Sequence, residues 1–376
     1  MFFQKNRTYS EREVVFVRKF VWISLLVVLL VFVAEAVKLP PELDTQYIRE
    51  LWEKAKKEGG WIYSYGMPDV WANYGEIFKK FEEFFGIKHR DIDMGSSVVL
   101  ARMTQERARK NDIADLKPSL AMELARRGLT AAYKPVNWEK LPPNQRGQDS
   151  NTGSVWQAVY RGTLGFLVNT DIVKEIPRRW KDLKNPKYKN LIIYLDPRAT
   201  GTGVNTIEAI AYALTGDPYN YKAAIDFLKE LHDMGLILSV DPKVSVSKWE
   251  RGEAGIVINF DYNLLKWKYD NPHINSVIVI PEDGTISSGG GVIIAKNAPH
   301  PYTARLFMEY LLSYGQKLYA KGFVSPMVQG IELPEEVKDK FPPAEAYKSA
   351  VFVDYVKDRE VTPKLQEYYS QVIGSR

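Results

Sequence analysis

The sequence predicts an α/β protein organised in two lobes and exported from the cytoplasm. Three observations carry that reading. The chain has 376 residues, about twice the usual length of a single domain. Short apolar strand patterns alternate with amphipathic helical ones along most of it, as in α/β units around a mostly parallel sheet. An apolar run near the N-terminus also sits in the setting of a secretory leader.

That leader comes first. Arg18-Lys19 precede an apolar stretch from Phe20 to Val33, broken only by Ser24, and Ala34-Glu35-Ala36 follow. Basic start, apolar middle and small residues are the order of a signal peptide. As a helix the stretch would reach ~21 Å, short of the ~30 Å hydrocarbon core. Cleavage after Ala36 is therefore expected, rather than retention as an anchor. Residues 1–16 form a polar prefix that a signal peptide does not need, and the natural start is expected near Val17.

Composition narrows the class. Hydrophobic residues make up 45% and charged residues 26%, which is ordinary for a globular chain and argues against extended disorder. A net charge of +5 over this length does not call for a nucleic-acid partner. The chain has no cysteine, and its four histidines (His89, His232, His273, His300) are scattered singly. Disulfides, thiolate sites, cysteine nucleophiles and multi-histidine metal sites are thereby excluded.

After the leader, Tyr47, Ile48, Leu51, Trp52 and Ala55 recur at helical spacing until Gly59-Gly60. Trp61 to Tyr65 reads as a strand, followed by a Gly66-Met67-Pro68-Asp69 turn. A second helix carries Ile77, Phe78, Phe81, Phe84 and Phe85 up to Gly86. Ile92 to Met94 suggests a short strand, and Gly95-Ser96-Ser97 opens a helix expected to run to Lys110. Ile113 to Leu116 and Leu120 to Arg127 continue the alternation. Trp156 to Asn169 suits a long strand or a hinge pair. Leu191 to Leu195 is a strand, and Asp196 to Gly203 is a loop feeding a helix from Thr206 to Leu214. Ala223 to Met234 is helical, and Gly255 to Phe260 and Ser276 to Ile280 are strands. The Gly289-Gly290-Gly291 run should precede a strand from Val292 to Ala295 and a helix from Tyr302 to Leu312. A helical tail closes the chain.

Two loops have the form of an anion cradle. Gly95-Ser96-Ser97 lies directly before a helix, where free backbone N–H groups and two hydroxyls converge. Thr200-Gly201-Thr202-Gly203 joins a strand to a helix through residues small enough for close backbone approach. Capping alone would also explain either loop. No Gly-Lys-Ser/Thr follows the second, so it is not a nucleotide phosphate loop. A helix start supplies only ~0.3–2 kcal/mol to an anion, whereas micromolar binding needs ~8 kcal/mol. Side-chain hydrogen bonds, apolar contact and closure must supply the remainder. Tyr65, Trp71, Trp156, Tyr160, Trp249, Phe260 and Tyr262 flank these loops as candidates for stacking on a sugar or other flat face, or for core filling. Asp261 ends a strand, where it can accept from hydroxyls or an amine, or cap the following helix. There is no Gly-x-Ser-x-Gly elbow, no His-Glu-x-x-His and no dinucleotide fingerprint, so no catalytic machinery is expected.

Several segments resemble one family in order along the chain. They are Tyr63-Ser64-Tyr65-Gly66, Gly95-Ser96-Ser97, Trp180-Lys181-Asp182-Leu183, Asn185-Pro186-Lys187-Tyr188-Lys189, Asp196-Pro197-Arg198-Ala199-Thr200-Gly201-Thr202-Gly203, and Gly290-Gly291-Val292 with His300-Pro301. Over nearly all of residues 45–325 the chain is similar to the extracellular solute-binding proteins of ABC transporters, in the branch of ferric-ion, phosphonate, phosphosugar and polyamine binders. The resemblance implies a type II-like two-lobe periplasmic-binding-protein fold that closes on a solute. It implies lobe one at residues 37–160 plus 282–330, lobe two at 161–281, and a helical tail at 331–376 packed back across both. Tyr65, Gly66, Ser96 and Ser97 map to the cleft of lobe one, and Thr200, Gly201, Thr202, Asp261 and Tyr262 to that of lobe two. A membrane permease is the implied partner of a periplasmic monomer that needs no cofactor or metal. Ferric binders of this branch present adjacent tyrosines near Phe260-Asp261-Tyr262, and here only Tyr262 is one. Polyamine binding would want more acidic residues than Asp69 and Asp261. A phosphorylated sugar or polyol, or an organophosphonate, is the solute class expected.

Overall fold

The computed structural model describes residues 38–243 and 245–374. The expected leader, its prefix and the cleavage point lie outside the described residues. Helix α1 (Gln46–Ala55) opens on Thr45, whose hydroxyl accepts from the Ile48 amide at 3.2 Å, and it buries Ile48, Leu51 and Ala55. That is the cap and spacing of an amphipathic helix. Strand β1 (Trp61–Tyr65) and helix α2 (Tyr74–Phe85) follow. Strand β2 (Lys88–Ile92), α3 (Ser96–Gln105), β3 (Ile113–Leu116) and α4 (Pro118–Arg126) complete a first group. Beyond the short β4 (Arg146–Gln148), β5 (Val155–Asn169) is one strand of 15 residues.

A second group repeats the alternation with β6 (Ile192–Leu195), α5 (Gly201–Thr215), α6 (Tyr221–Asp233) and β7 (Ile237–Asp241). It continues through α7 (Ser247–Glu250), β8 (Ile256–Phe260), α8 (Asp261–Asp270) and β9 (Ser276–Val279). The chain returns along β10 (Thr285–Ile294) to α9 (Pro301–Leu311), α10 (Tyr314–Lys321) and the two-residue β11 (Ser325–Pro326). The tail carries α11 (Glu335–Lys338), β12 (Ala350–Phe352) and α12 (Tyr355–Val372).

The sheet has 12 strands and a main path β2-β1-β3-β10-β5-β8-β6-β7. Strands β2-β1-β3 are parallel, and so are β8-β6-β7. Between them β10 and β5 run antiparallel to each other and to their outer neighbours β3 and β8. The expected parallel order thus holds inside each group and is corrected at the centre. A chain that passes from one α/β group to the other and back crosses once in each direction, so its two crossing strands pair antiparallel. Strand β5 serves both groups: Ala158 to Thr163 pair with β10, and Leu164 to Val168 pair with β8.

The crossing also explains the glycine run, which lies inside β10 rather than before it. A Cβ on Gly290 would stand 2.0 Å from the Tyr160 ring, so only glycine lets the strands cross with that ring between them. Other boundaries differ too. Helix α5 starts at Gly201 rather than Thr206, because Thr200 caps it by accepting from the Gly203 amide. Lys88 to Ile92 pair one-for-one with Trp61 to Tyr65, so β2 ends at Ile92 instead of starting there. Helix α3 stops at Gln105, short of Lys110, because Glu106 turns extended and its carboxylate takes the Tyr65 hydroxyl and the Arg102 guanidinium, each at 2.7 Å.

Candidate functional site

Ligand groups of open α/β sheets gather beyond the carboxyl ends of parallel strands. In this fold those ends face one another across the crossing strands. Leu116, ending β3, pairs with Gly291, which also pairs with Ala158, while Phe260, ending β8, pairs with Leu164. The stretch from Ala158 to Leu164 is about 20 Å long at ~3.3 Å per residue. Loops from both halves therefore open onto the same short piece of β5 and β10.

On the first half, Gly66 sits at φ +72°, and a Cβ there would meet the carbonyls of Asp115 and Met94 at 2.8 and 3.0 Å. The turn is pinned by Asp91, whose Oδ1 accepts from the Met67 amide (3.0 Å) and the Ser64 hydroxyl (2.5 Å). His89 Nε2 lies 2.7 Å from the same hydroxyl, and burial pulls its pKa down to about 3. Ser64 already donates to Asp91, so His89 donates to Ser64, and the trio is a brace rather than a nucleophile–base pair. The Tyr65 ring is buried and its hydroxyl donates to Glu106. Burial, then that contact, pushes the phenol up to about 12. Ser96 Oγ accepts from the Lys117 amide at 3.0 Å, and Ser97 is exposed.

On the second half, Thr200 caps α5 by accepting from the Gly203 amide (3.0 Å) while donating to the Asp196 carbonyl (3.0 Å). Nothing lies within 4 Å of a Cβ built on Gly201, and Thr202 is 9% exposed. The leading amides of both helices, Ser96 and Ser97 on α3 and Gly201 and Thr202 on α5, donate to no acceptor among the described residues. Neither first turn contains an acidic residue. Both helix starts consequently keep their partial positive charge. Asp261 opens α8 fully buried, its Oδ1 accepting from the Thr163 and Tyr262 amides at 2.9 Å each. Its Oδ2 has no partner at hydrogen-bonding distance, and the polar group facing it is the Tyr347 hydroxyl of the tail, which also lacks one. Burial pushes Asp261 up to about 6, against the pull of the Thr163 amide and Tyr347.

Between the halves lies an aromatic floor. Trp71 Nε1 donates to the Tyr160 hydroxyl (2.9 Å), which donates to Asp115 Oδ2 (2.9 Å). The Tyr74 hydroxyl donates to the same oxygen (2.9 Å) and accepts from Tyr319 (3.2 Å). Tyr262, from the second half, meets Trp71 edge-on at 5.7 Å and lies 6.5 Å from Tyr160. Burial pushes Asp115 up to about 7 and holds Tyr74, Tyr160, Tyr262 and Tyr319 well above the usual phenol value.

Of the residues picked from the sequence, Gly66, Ser96, Ser97, Thr200, Gly201, Thr202, Asp261 and Tyr262 stand at strand ends or helix starts that open on the crossing strands. Trp156 stands elsewhere, its ring against Tyr355 of α12 (5.9 Å) and against Gly147 of β4. Trp249 is core, among Leu167, Ile193 and Val257. The Tyr65 hydroxyl points to the end of α3. Sequence reasoning missed Asp115, Lys117, Tyr74 and Tyr319, since nothing local marks residues that meet only through the crossing. Among the described residues, no group of three or more His, Cys, Asp or Glu could hold a metal ion.

A profile of the bacterial extracellular solute-binding protein family matches residues 109–357. The chain belongs to that family. Its members are extracellular solute-binding proteins. An uncharacterized protein of Haemophilus influenzae is 31% identical over 253 residues, 64% of this chain and 70% of that protein. A candidate 2-aminoethylphosphonate-binding periplasmic protein of Salmonella typhimurium is 28% identical over 134 residues, 35% of this chain, which spans only 37% of that relative. The periplasmic binding protein AfuA of Actinobacillus pleuropneumoniae, solved with exogenous fructose-6-phosphate bound, superimposes with a TM-score of 0.69 at 24% identity, over 85% of this chain and 100% of that one. The likeness establishes the two-lobe solute-binding fold.

Proposed function

We propose that this solute-binding protein captures a small anionic or polyhydroxylated solute, such as a phosphorylated sugar or polyol or an organophosphonate, and delivers it to the membrane permease of an importer. One observation carries the reading. The starts of α3 and α5, on opposite halves, both end in unbonded amides with no acidic residue in the first turn, and both open on the same stretch of crossing strand. Hydroxyls of Ser97 and Thr202, the Gly66 turn and the rings of Trp71 and Tyr262 supply the further contacts that helix starts alone cannot. Fructose-6-phosphate in AfuA and 2-aminoethylphosphonate in the name of the Salmonella relative support this class. Residues 37–160 plus 282–330 and residues 161–281 would be the closing lobes of a periplasmic monomer without catalysis.

The test is native mass spectrometry of the purified protein for a co-purified solute, followed by calorimetry. The titrants are fructose-6-phosphate, 2-aminoethylphosphonate, inorganic phosphate, spermidine and ferric citrate, with product analysis of each hit. Micromolar or tighter binding of a phosphorylated or phosphonate solute without turnover is the expected outcome. Binding of spermidine alone, or turnover of any solute, would overturn it.

A further inference from the structure

Helix α12 contacts both halves and is interrupted by a proline. The grip on the first half lies wholly before Pro363. Lys117, at the head of α4, reaches Asp358 Oδ1 at 2.5 Å, Arg359 pairs with Glu123 of α4, and Tyr355 donates to Gln145 at 2.5 Å and meets the Trp156 ring. Residues after Pro363 hold the second half. Gln366 Nε2 donates to the Pro197 carbonyl (2.8 Å), the Tyr369 and Tyr194 hydroxyls share a hydrogen bond (2.7 Å), and Arg198 Nη1 donates to the Gly374 carbonyl (2.8 Å). Pro197 and Arg198 belong to the loop that leads into Thr200-Gly201-Thr202. Second-half contacts also fall before the proline: the Tyr219 hydroxyl donates to the Asp354 carbonyl (3.0 Å) and accepts from the Asp354 amide (2.6 Å), Lys357 lies over the Tyr219 ring (5.7 Å), and Glu208 of α5 faces Asp358 from a fully buried position. Asn205 donates to Glu208 at 2.6 Å, and burial and Asp358 push this carboxyl well above its usual range. Burial and the neighbouring carboxylate thus favour the protonated form of Glu208 beside Asp358.

A proline within a helix removes one backbone hydrogen bond and loosens the helix there. The path along the helix from the head of α4 to the Pro197–Arg198 loop crosses that joint, which makes the helix a strap. We infer that α12 is a strap joining the two halves, jointed at Pro363, which sets how far the Thr200–Thr202 loop stands from the head of α4. Its grip consists of contacts within the chain and does not depend on which solute binds. Each half changes its distance from the other only as the strap bends or releases, so the strap biases the open–closed equilibrium.

The test uses the full chain without added solute. The sequence has no cysteine, so Lys79→Cys on α2 and Lys174→Cys beyond β5 each take one spin label, and double electron–electron resonance gives the spread of distances between the halves. Asp358→Ala should broaden that distribution and move its mean by more than the wild-type width, and the charge swap Lys117→Asp with Asp358→Lys should restore it. Gln366→Ala should broaden it from the other side of the joint. Hydrogen exchange within each half should stay unchanged, which a loss of general stability would not allow. Should Asp358→Ala fail to fold, Arg359→Ala and Gln366→Ala decide alone. Distributions that superimpose on the wild type in these folded variants would overturn the strap.

Discussion

Asp115 is the group whose replacement should leave the clearest mark. Its carboxyl lies at the end of β3, and its Oδ2 receives the hydroxyls of Tyr74 and Tyr160, each at 2.9 Å. Burial pushes its pKa from the ordinary 3.8 to about 7. Between those values the native state keeps a proton that the unfolded chain releases. Stability then falls as pH rises, by ~1.36 kcal/mol per pH unit for the one proton. Across the window the loss is on the order of 4 kcal/mol, and it ends above pH 7, where both states are ionised. Asp115→Asn keeps an acceptor for both hydroxyls and removes the titration. Urea unfolding followed by tryptophan fluorescence, from pH 4.5 to 7.5, gives the stability of both chains. All other carboxylates act on both alike, so wild type minus variant isolates Asp115. That difference should fall steadily with pH, with the wild type relatively more stable in acid. A difference flat to within ~0.5 kcal/mol, less than half of one pH unit's expected change, would refute a buried proton at this site.

Three other outcomes are expected. Gly201→Val should leave the unfolding transition unchanged, since a Cβ there meets no atom within 4 Å, yet abolish calorimetric binding of whichever phosphorylated or phosphonate solute binds the wild type; unchanged affinity would remove this loop from the site. Ala72 sits at φ +46°, so Ala72→Gly should be neutral or stabilise by up to ~1 kcal/mol in urea melts, whereas Ala209→Gly inside α5 should cost ~1 kcal/mol or more; equal losses at both would show that the loop is unstrained. Adding ferric citrate should produce no visible phenolate-to-iron band, because the four clustered tyrosines are held protonated; a band at one iron per chain would overturn that.

What the sequence disclosed follows from what is local. Strand β1, the helical spacing of α1 and the phenylalanine face of α2 are written in consecutive residues, and all three lie where periodicity places them. Strand β12 was not legible: Ala350 to Phe352 become a strand only by pairing with Thr285 to Ser287, far away in the chain. The glycine run misled for the same reason, since a Gly-rich segment reads as a break until a ring from the crossing strand is known to lie on it. The site divides likewise. Ser, Thr and Gly mark the strand-to-helix turns, so the loops before α3 and α5 were legible as such. The Trp71–Tyr160–Asp115–Tyr74 chain joins residues up to 89 positions apart, and only topology assembles it. Trp156 was chosen for its type and neighbours, but an aromatic side chain on a crossing strand faces one side or the other, and this one faces the tail.

The charge of the cleft follows from the same burial. Counted by residue type, Asp91, Asp115, Asp261 and Glu208 surround the crossing strands and seem to forbid an anion. An ionised carboxylate ~6 Å from a bound anion would cost about 3 kcal/mol at an effective dielectric of ~20, more than the ~0.3–2 kcal/mol that a helix start returns. Desolvation weakens that count, because it raises all four, Asp115 to about 7 and Asp261 to about 6, so that both keep their protons in mild acid. The Lys117 ammonium is already matched by Asp358. Hydroxyls, aromatic edges and unbonded amides then stand beside these groups. In mild acid such a lining leaves a polycation few ionised partners, so spermidine is expected to bind more weakly in calorimetry than a phosphosugar or a phosphonate, and equal affinity would refute the argument.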